Sequence, residues 1–209
     1  SRSVDGPPGE WRFGIFRRGA PLTIADLVPL LGHLGLHAVD EHPAAFQAPS
    51  GPIYVYDVGV RLPETLADRG LAEQQHAEVQ QAFQALVRGE VEADGLNQLV
   101  LAADLTVRQV GVLRCYSRYL QQAGFPFSQA YIEEVLVRHA RIAHGLAALF
   151  EARFDPAGEP LPSHSSSLAN ATRTAILGRL DEVPSLDDDR ICRAVLTLID
   201  ATTRTNAYQ

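Results

Sequence analysis

The sequence predicts an α+β protein in which a small antiparallel sheet, covered by helices on one side, is followed by a mainly helical domain. Stretches that alternate between apolar and polar residues, as strands do, all precede residue 62. Beyond residue 92 the apolar residues recur at helical spacing instead. With 209 residues, of which 46% are hydrophobic and 21% charged, the chain is long enough to bury the core of one large or two small domains.

A strand and a helix are predicted after a short tail. Residues 1–10 are polar and contain Gly6-Pro7-Pro8-Gly9, which favours a tail or linker. Residues 11–17 alternate between apolar and polar side chains and predict a strand. Three of its side chains are expected to face the core: Trp11, Phe13 and Ile15. Thr23 then caps a helix that ends at Gly35.

Two further strands and a long helix complete this module. Residues 36–47 alternate and predict the second strand. Residues 53–61, which are rich in β-branched and aromatic side chains, predict the third. Residues 71–87 carry apolar side chains at helical spacing. The order β-α-β-β-α therefore predicts a half-sandwich, with the helices on one side of the sheet.

A helical hairpin is the clearest feature of the second part. Thr106 and Gln109 form a capping-box pattern at the start of a helix that Gly124 ends. After a Gly-Phe-Pro-Phe corner, Ser128 begins a second helix. Its apolar positions recur over about five turns, which predicts one continuous helix up to Asp155.

The last quarter of the chain is predicted as a loop and two helices. Residues 157–167, rich in proline and serine, favour a loop, and residues 168–180 a short helix. Ser185 caps the final helix. Three carboxylates, Asp187, Asp188 and Asp189, follow in its first turn, where the helix dipole favours negative charge.

Composition excludes several classes of function. A net charge of −7 argues against nucleic acid as a partner, because a surface that tracks phosphates needs a basic excess. No apolar run approaches the roughly 20 residues that cross a bilayer, so we expect no membrane contact. The two cysteines, Cys115 and Cys192, lie in apolar helical patterns, which predicts buried free thiols in a reducing compartment. The chain contains no Met, not even at its start, and we expect it to be a segment of a longer protein.

Several runs of residues resemble one protein family. These runs are residues 94–97, 99–103, 114–120, 122–132, 149–156 and 204–209. They are similar to the large bacterial NAD-specific glutamate dehydrogenase, in the part that precedes its catalytic domain. The likeness extends from about Pro21 to the C-terminus and is weak in residues 1–10 and 157–169.

The resemblance implies an architecture and a setting. Residues 11–92 would be an ACT-like regulatory module, and residues 93–209 a helical domain that leads towards the catalytic domain. An ACT fold ends with a fourth strand, for which the sequence offers only Val91. Either Val91 forms a very short edge strand or the module is incomplete, and we favour the incomplete module. The parent enzyme would convert L-glutamate to 2-oxoglutarate and ammonia with NAD, as a cytoplasmic homo-oligomer. The partner of this segment would then be the rest of the enzyme chain.

The segment itself is predicted to be non-catalytic. Dehydrogenases of the resembled family use lysines to activate water and to hold substrate, whereas all 18 basic residues here are arginine. A Gly-x-Gly-x-x-Gly turn that would seat the pyrophosphate of NAD is also missing from the sequence. We therefore expect no catalytic, cofactor-binding or metal-binding residues in this segment.

The best candidate for a functional site is the loop between the first strand and the first helix. In ACT modules the equivalent loop can hold an amino-acid effector, which here would involve Gly19, Thr23 and Asp26. The alternative is an ordinary strand-to-helix connection with a cap. His139 and His144, five residues apart, are expected to be structural rather than metal ligands. The tyrosines Tyr116, Tyr119 and Tyr131 are expected to cluster around the helical corner.

Three functions remain open from the sequence. The first is a non-catalytic structural or regulatory segment of the dehydrogenase. The second is an amino-acid-sensing ACT-type module that binds its effector at the Gly19–Asp26 loop. The third is a free-standing helical interaction protein that is unrelated to the enzyme.

Overall fold

The computed structural model describes residues 10–67, 70–156 and 162–208. The chain divides into two compact units, Ser1–Asp94 and Gly95–Gln209. The first holds a three-stranded antiparallel sheet with helices and the second is helical, so the predicted α+β class is confirmed. Of the expected tail at residues 1–10, the first nine lie outside the described residues, and Glu10 already begins a strand.

The sheet has the strand order β1-β3-β2, with β1 at Glu10–Arg18, β2 at His37–Ala48 and β3 at Gly51–Arg61. Both neighbours of β3 run antiparallel to it. The strand with the strongest β propensity takes the central position. There its β-branched and aromatic side chains pack against a neighbouring strand on each side. Its buried side chains are Tyr56, Val58 and Val60.

Helices α1 (Ile24–His33) and α3 (Glu73–Arg88) cover the side of the sheet that the sequence predicted to face the core. Ile15 is buried, and the Phe13 ring meets the ring of Phe83 in α3 edge to face at 5.1 Å. The Trp11 ring contacts His76 of the same helix in the same way. A single helical turn that the sequence did not predict, α2, spans Glu64–Ala67.

The sheet of the described residues has three strands, as the incomplete module requires. Helix α3 ends at Gly89, which adopts a left-handed conformation with φ 68°. Val91 follows in a bend and pairs with no strand, so the alternative of a short fourth strand at Val91 is not formed. Strands β1 and β2 are therefore both edge strands in the described part of the chain.

The helical unit begins with a 3₁₀ turn, Gly95–Gln98, and continues through six helices. These are α4 (Leu99–Ala102), α5 (Val107–Gln122), α6 (Gln129–Arg138), α7 (Ala140–Phe154), α8 (Pro162–Leu180) and α9 (Leu186–Ala201). Their apolar sides form one core. Its fully buried members include Leu96, Leu99, Leu113, Ile132, Leu136, Leu146 and Leu149.

The predicted helix starts are confirmed in atomic detail. The Gln109 N–H donates to Thr106 Oγ1 at 3.2 Å, and the Thr106 N–H donates to Gln109 Oε1 at 2.8 Å. At the corner, the Tyr131 N–H donates to Ser128 Oγ at 3.2 Å. These side chains satisfy backbone donors that the helix itself leaves unpaired, and each fixes where its helix begins.

The prediction of one continuous helix up to Asp155 is wrong. The chain breaks at His139, whose φ of −100° and ψ of 49° end α6 and begin α7. The His139 ring contacts the Asp188 carboxylate at 2.8 Å, and its carbonyl accepts the N–H groups of Ile142 and Ala143. The apolar spacing runs through the break without a change, so periodicity could not reveal it.

The boundary of the predicted loop is also wrong. Of residues 157–167, residues 157–161 lie outside the described residues, whereas helix α8 already begins at Pro162. Proline is tolerated in the first turn of a helix, because the N–H it lacks would have no helical acceptor there. The serine- and proline-rich composition that favoured a loop is therefore compatible with a helix start.

Helices α7 and α8 approach each other closely at Gly145. A Cβ atom at this position would lie 2.8 Å from Cγ1 of Ile176, which is fully buried in α8. We expect Gly145→Ala to lower the free energy of unfolding by about 1–3 kcal/mol, because the core cannot make room without shifting a helix. Chemical denaturation of the purified variant measures this.

The matched control is Gly178→Ala in α8, where a Cβ atom would meet nothing within 4 Å. This change should raise the stability by up to about 1 kcal/mol, because alanine is the better helix former. Equal effects of the two substitutions would contradict the close approach of α7 and α8.

Candidate functional site

The strand-to-helix loop that the sequence singled out begins at Gly19. This residue has φ 89°, a conformation that favours glycine, and its N–H donates to the carbonyl of Pro52 at 3.4 Å. A Cβ atom at Gly19 would meet nothing within 4 Å, so one side of the loop is open. The loop is tied to the sheet at Leu22, whose N–H donates to the Tyr56 hydroxyl at 2.7 Å.

Thr23 and Asp26 are brought together at the start of α1. The Thr23 hydroxyl donates to Asp26 Oδ2 at 2.7 Å, and the Asp26 N–H donates to Thr23 Oγ1 at 3.2 Å. Gly19 is bonded to Pro52 at the start of β3 instead of to this pair. The two side chains thus form a capping box, which uses the donors that an effector carboxylate would need.

Asp188 has four side-chain partners in the helical unit, whereas the sequence indicated only a helix-dipole role for it. Its side chain is 4% exposed, and its carboxylate accepts hydrogen bonds from Tyr131 at 3.0 Å, Arg138 at 2.8 Å and Ser185 at 3.1 Å. His139 Nε2 contacts it at 2.8 Å. Asp188 therefore joins the start of α9 to both ends of α6, which is more than a helix-dipole cap. We call these five residues the Asp188 cluster.

The hydrogen bonds of the Asp188 cluster decide the protonation state of its carboxyl. Burial acts to raise the pKa of Asp188, but the bonds from His139, Arg138, Tyr131 and Ser185 outweigh it and lower this pKa to about 2. The carboxylate is therefore ionised near neutral pH. The one sequence signal that distinguishes Asp188 from Asp187 and Asp189 is its position three residues after the Ser185 cap, and this signal does not reveal the contacts with α6.

A groove lies in the helical unit between α5 and the segment that follows α9. Its volume is about 640 Å³. Most of its walls are apolar or aromatic, and its lining includes Arg108, Val112, Cys115, Tyr116, Tyr119, Phe150, Leu198, Arg204 and Asn206. We call it the α5–α9 groove.

The predicted clustering of three tyrosines at the helical corner is wrong. Tyr116 and Tyr119 line the α5–α9 groove, where the Tyr116 hydroxyl lies 2.8 Å from Thr202 Oγ1. Tyr131 alone packs at the corner, with its ring 5.7 Å from that of Phe127. The first two lie more than a helical turn from the corner on a different side of α5, which spacing along the chain did not show.

The two cysteines differ in exposure, so the prediction of two buried thiols is half wrong. Cys115 is exposed in the wall of the α5–α9 groove, whereas Cys192 is fully buried in α9. Burial raises the pKa of the Cys192 thiol to about 12, and the nearby charges of Asp188 and Asp189 act in the same direction. Cys115 is therefore the thiol that reagents in solution can reach.

The histidines that the sequence considered as ligands have separate partners. His139 belongs to the Asp188 cluster, and His144 Nδ1 lies 2.9 Å from the carbonyl oxygen of Ala103. Within the described residues, no three His, Cys, Asp or Glu side chains are grouped so that they could hold a metal ion. In that same part of the chain, no helix combines the length and apolar character that crossing a bilayer requires.

Two descriptions of one protein family match the sequence. Residues 1–76 match the ACT3 domain of glutamate dehydrogenase, and residues 91–156 match helical motif 3 of glutamate dehydrogenase. The first match falls largely in the sheet-containing unit and the second in the helical unit.

Curated relatives carry the same name in three bacteria. The NAD-specific glutamate dehydrogenases of Halomonas elongata and Mycobacterium tuberculosis are each 39% identical to this chain, over 195 and 200 residues. That of Pseudomonas aeruginosa is 38% identical over 196 residues. The alignments cover 93%, 92% and 93% of this chain, but the chain spans only 12% of the length of each relative.

Proposed function

The chain belongs to the family of NAD-specific glutamate dehydrogenases, and from that premise we propose that it is a non-catalytic structural and regulatory segment of such an enzyme. The parent enzyme would oxidise L-glutamate to 2-oxoglutarate and ammonia with NAD. The segment would bind no NAD itself. Its partners would be the rest of the enzyme chain and further copies of it, in the cytoplasm.

One observation carries this proposal. All 18 basic residues of the chain are arginine, and an arginine cannot take the place of a lysine that must lose its proton during a reaction. The polar groups that the fold gathers also support it. The Asp188 cluster and the two capping boxes bind their own backbone and side-chain partners, which stabilises helices and leaves these groups unsuited to activating a substrate.

The two compact units support the assignment of two domains to this chain. We assign residues 11–92 to an ACT-like module and residues 93–209 to a helical domain that leads towards the catalytic domain. The boundary between the compact units, after Asp94, lies close to this division. Family membership argues against the third function, a helical protein unrelated to the enzyme.

The proposal is tested in the full-length enzyme with a substitution that damages the helical core. Leu146 is fully buried in α7. We expect Leu146→Ala to lower the temperature at which the enzyme loses activity, while the KM values for glutamate and NAD in the folded fraction stay unchanged. A change in either KM at a temperature where the variant is fully folded would contradict a framework role.

The second function, amino-acid sensing, rests on the open side of the loop at Gly19 and on its tether at Leu22. The negative charge of Asp26 would favour the ammonium group of an effector over its carboxylate. Calorimetry of the chain with the common amino acids tests this. Heat with one amino acid that disappears in Asp26→Asn would support sensing, whereas no heat with any of them favours the structural role.

A further inference from the structure

We propose that the α5–α9 groove binds a small organic anion whose body is apolar, such as an aromatic or branched carboxylate. This goes beyond the proposed function, which gives the helical unit a role in assembly but no ligand. The site would lie entirely within that unit.

The size and walls of the groove suit a small molecule. Binding sites for such ligands commonly measure about 300–1,000 Å³ and are lined mainly by apolar and aromatic side chains, with a few polar groups that orient the ligand. The α5–α9 groove has about 640 Å³ and is walled by Val112, Tyr119, Phe150 and Leu198. The hydroxyl of Tyr116 is hydrogen-bonded to Thr202 in one wall of the groove, so it does not need a ligand as its partner.

The charged side chains of the groove indicate that its ligand carries a negative charge. Arg108 and Arg204 line it, and its lining contains no Asp or Glu. Neither arginine has a carboxylate partner among the described residues, whereas Arg138, Arg173 and Arg193 all do. In a chain with a net charge of −7, two unpaired guanidinium groups beside one apolar groove form a local excess of positive charge.

The surroundings of Arg108 hold its guanidinium in place. It lies over the ring of Tyr208, 5.5 Å from the ring centre, and that ring in turn stacks on Phe150 at 6.2 Å. Burial raises the pKa of Tyr208 and the charges of Glu151 and Asp155 act in the same direction, but both acids lie outside the groove lining. Arginine pairs well with carboxylates because its N–H groups match their two oxygens.

Cys115 provides a built-in reporter for the site. It is exposed in the groove wall, and the other cysteine of the chain, Cys192, is fully buried. Neutral iodoacetamide should therefore alkylate one position only, which mass spectrometry identifies and the variant Cys115→Ser abolishes. A molecule that occupies the groove should slow this alkylation.

The experiment compares matched probes on the 209-residue chain. Naphthalene-2-carboxylate has the charge and the apolar body, its neutral carboxamide has only the body, and acetate has only the charge. At a concentration ten times its Kd, the first should slow alkylation about tenfold. The carboxamide and acetate at that same concentration should leave the rate within about a factor of two.

Arginine variants then test the charge directly. Arg108→Gln and Arg204→Gln should each raise about fivefold the concentration of naphthalene-2-carboxylate that halves the rate of Cys115 alkylation. Arg141→Gln is the control, because Arg141 is exposed in α7, lies outside the groove and carries the same charge. Arg141→Gln should leave the slowing of Cys115 alkylation by naphthalene-2-carboxylate unchanged. All three side chains are exposed, so folding is not at risk.

Three results would overturn the proposal. The first is equal protection by the carboxylate and the carboxamide, which would show an apolar surface without charge selection. The second is the absence of protection by any probe. The third is a Cys115 that is already unreactive in the full-length enzyme without a probe, which would mean that the rest of the enzyme chain covers the groove.

Discussion

Replacing Asp188 by alanine is expected to lower the free energy of unfolding of the chain by about 3 kcal/mol, because it removes the acceptor of a buried cluster. Tyr131, Arg138 and His139 would all lose their bond to the carboxylate. Of these three, His139 is 18% exposed and so has little access to water as a replacement. Urea denaturation followed by circular dichroism measures the change.

The neighbouring Asp187 provides a matched control. It lies in the same helical turn, but its side chain is 54% exposed and its nearest partner, Arg190, is 3.9 Å away. Asp187→Ala should cost less than about 1 kcal/mol, since it removes only an exposed charge at the helix start. Equal losses for the two aspartates would mean that helix-dipole capping, and not the Asp188 cluster, explains the role of Asp188.

The same cluster makes the chain sensitive to acid. The folded-state pKa of Asp188 is about 2, below its ordinary value of 3.8. The ionised Asp188 therefore contributes about 2 kcal/mol to the free energy of unfolding. This contribution is fully present above pH 4 and is lost as the pH falls from about 4 to about 2. Between these pH values, Asp188→Asn should show a smaller loss of stability than the unmodified chain.

Truncating Leu146 in the helical core is expected to lower the free energy of unfolding of the chain by about 3 kcal/mol. The side chain is 0% exposed in α7, and alanine would leave a cavity that the packed helices cannot fill. The comparison is Leu186→Ala at the start of α9, where the leucine is 81% exposed. That change should stay within about 0.5 kcal/mol. Similar losses at both positions would contradict the burial of Leu146.

Local signals in the sequence were sufficient for most elements of the fold. The capping residues Thr23, Thr106, Ser128 and Ser185 each begin a helix in the structure, because such caps act through neighbouring atoms alone. The three strands follow from their alternation and composition. What these elements share is that residues close in the chain determine them.

The features that could not be predicted depend on residues far apart in the chain. The break at His139 goes with a bond to Asp188, which lies 49 residues away. The exposure of Cys115 depends on which side of α5 the other helices leave open, and periodicity cannot show this for a single position. The start of α8 at Pro162 was missed for a different reason, since its composition suits both a loop and a helix start.

The candidate sites divide in the same way. Thr23 and Asp26 could be paired from their spacing, and they do meet, but as a capping box. The Asp188 cluster and the α5–α9 groove both assemble residues from α5, α6, α7 or α9, and nothing along the chain marks them as neighbours. Only the packed helices bring Arg108 and Arg204 to one groove.

We propose that this chain supports a glutamate dehydrogenase without performing its chemistry. The most direct measurement is to titrate the purified 209-residue chain with NAD in a calorimeter and to follow NADH formation at 340 nm after adding L-glutamate. We expect no saturable heat and no NADH above the rate without protein. Stoichiometric binding of NAD, or glutamate-dependent formation of NADH, would contradict the claim.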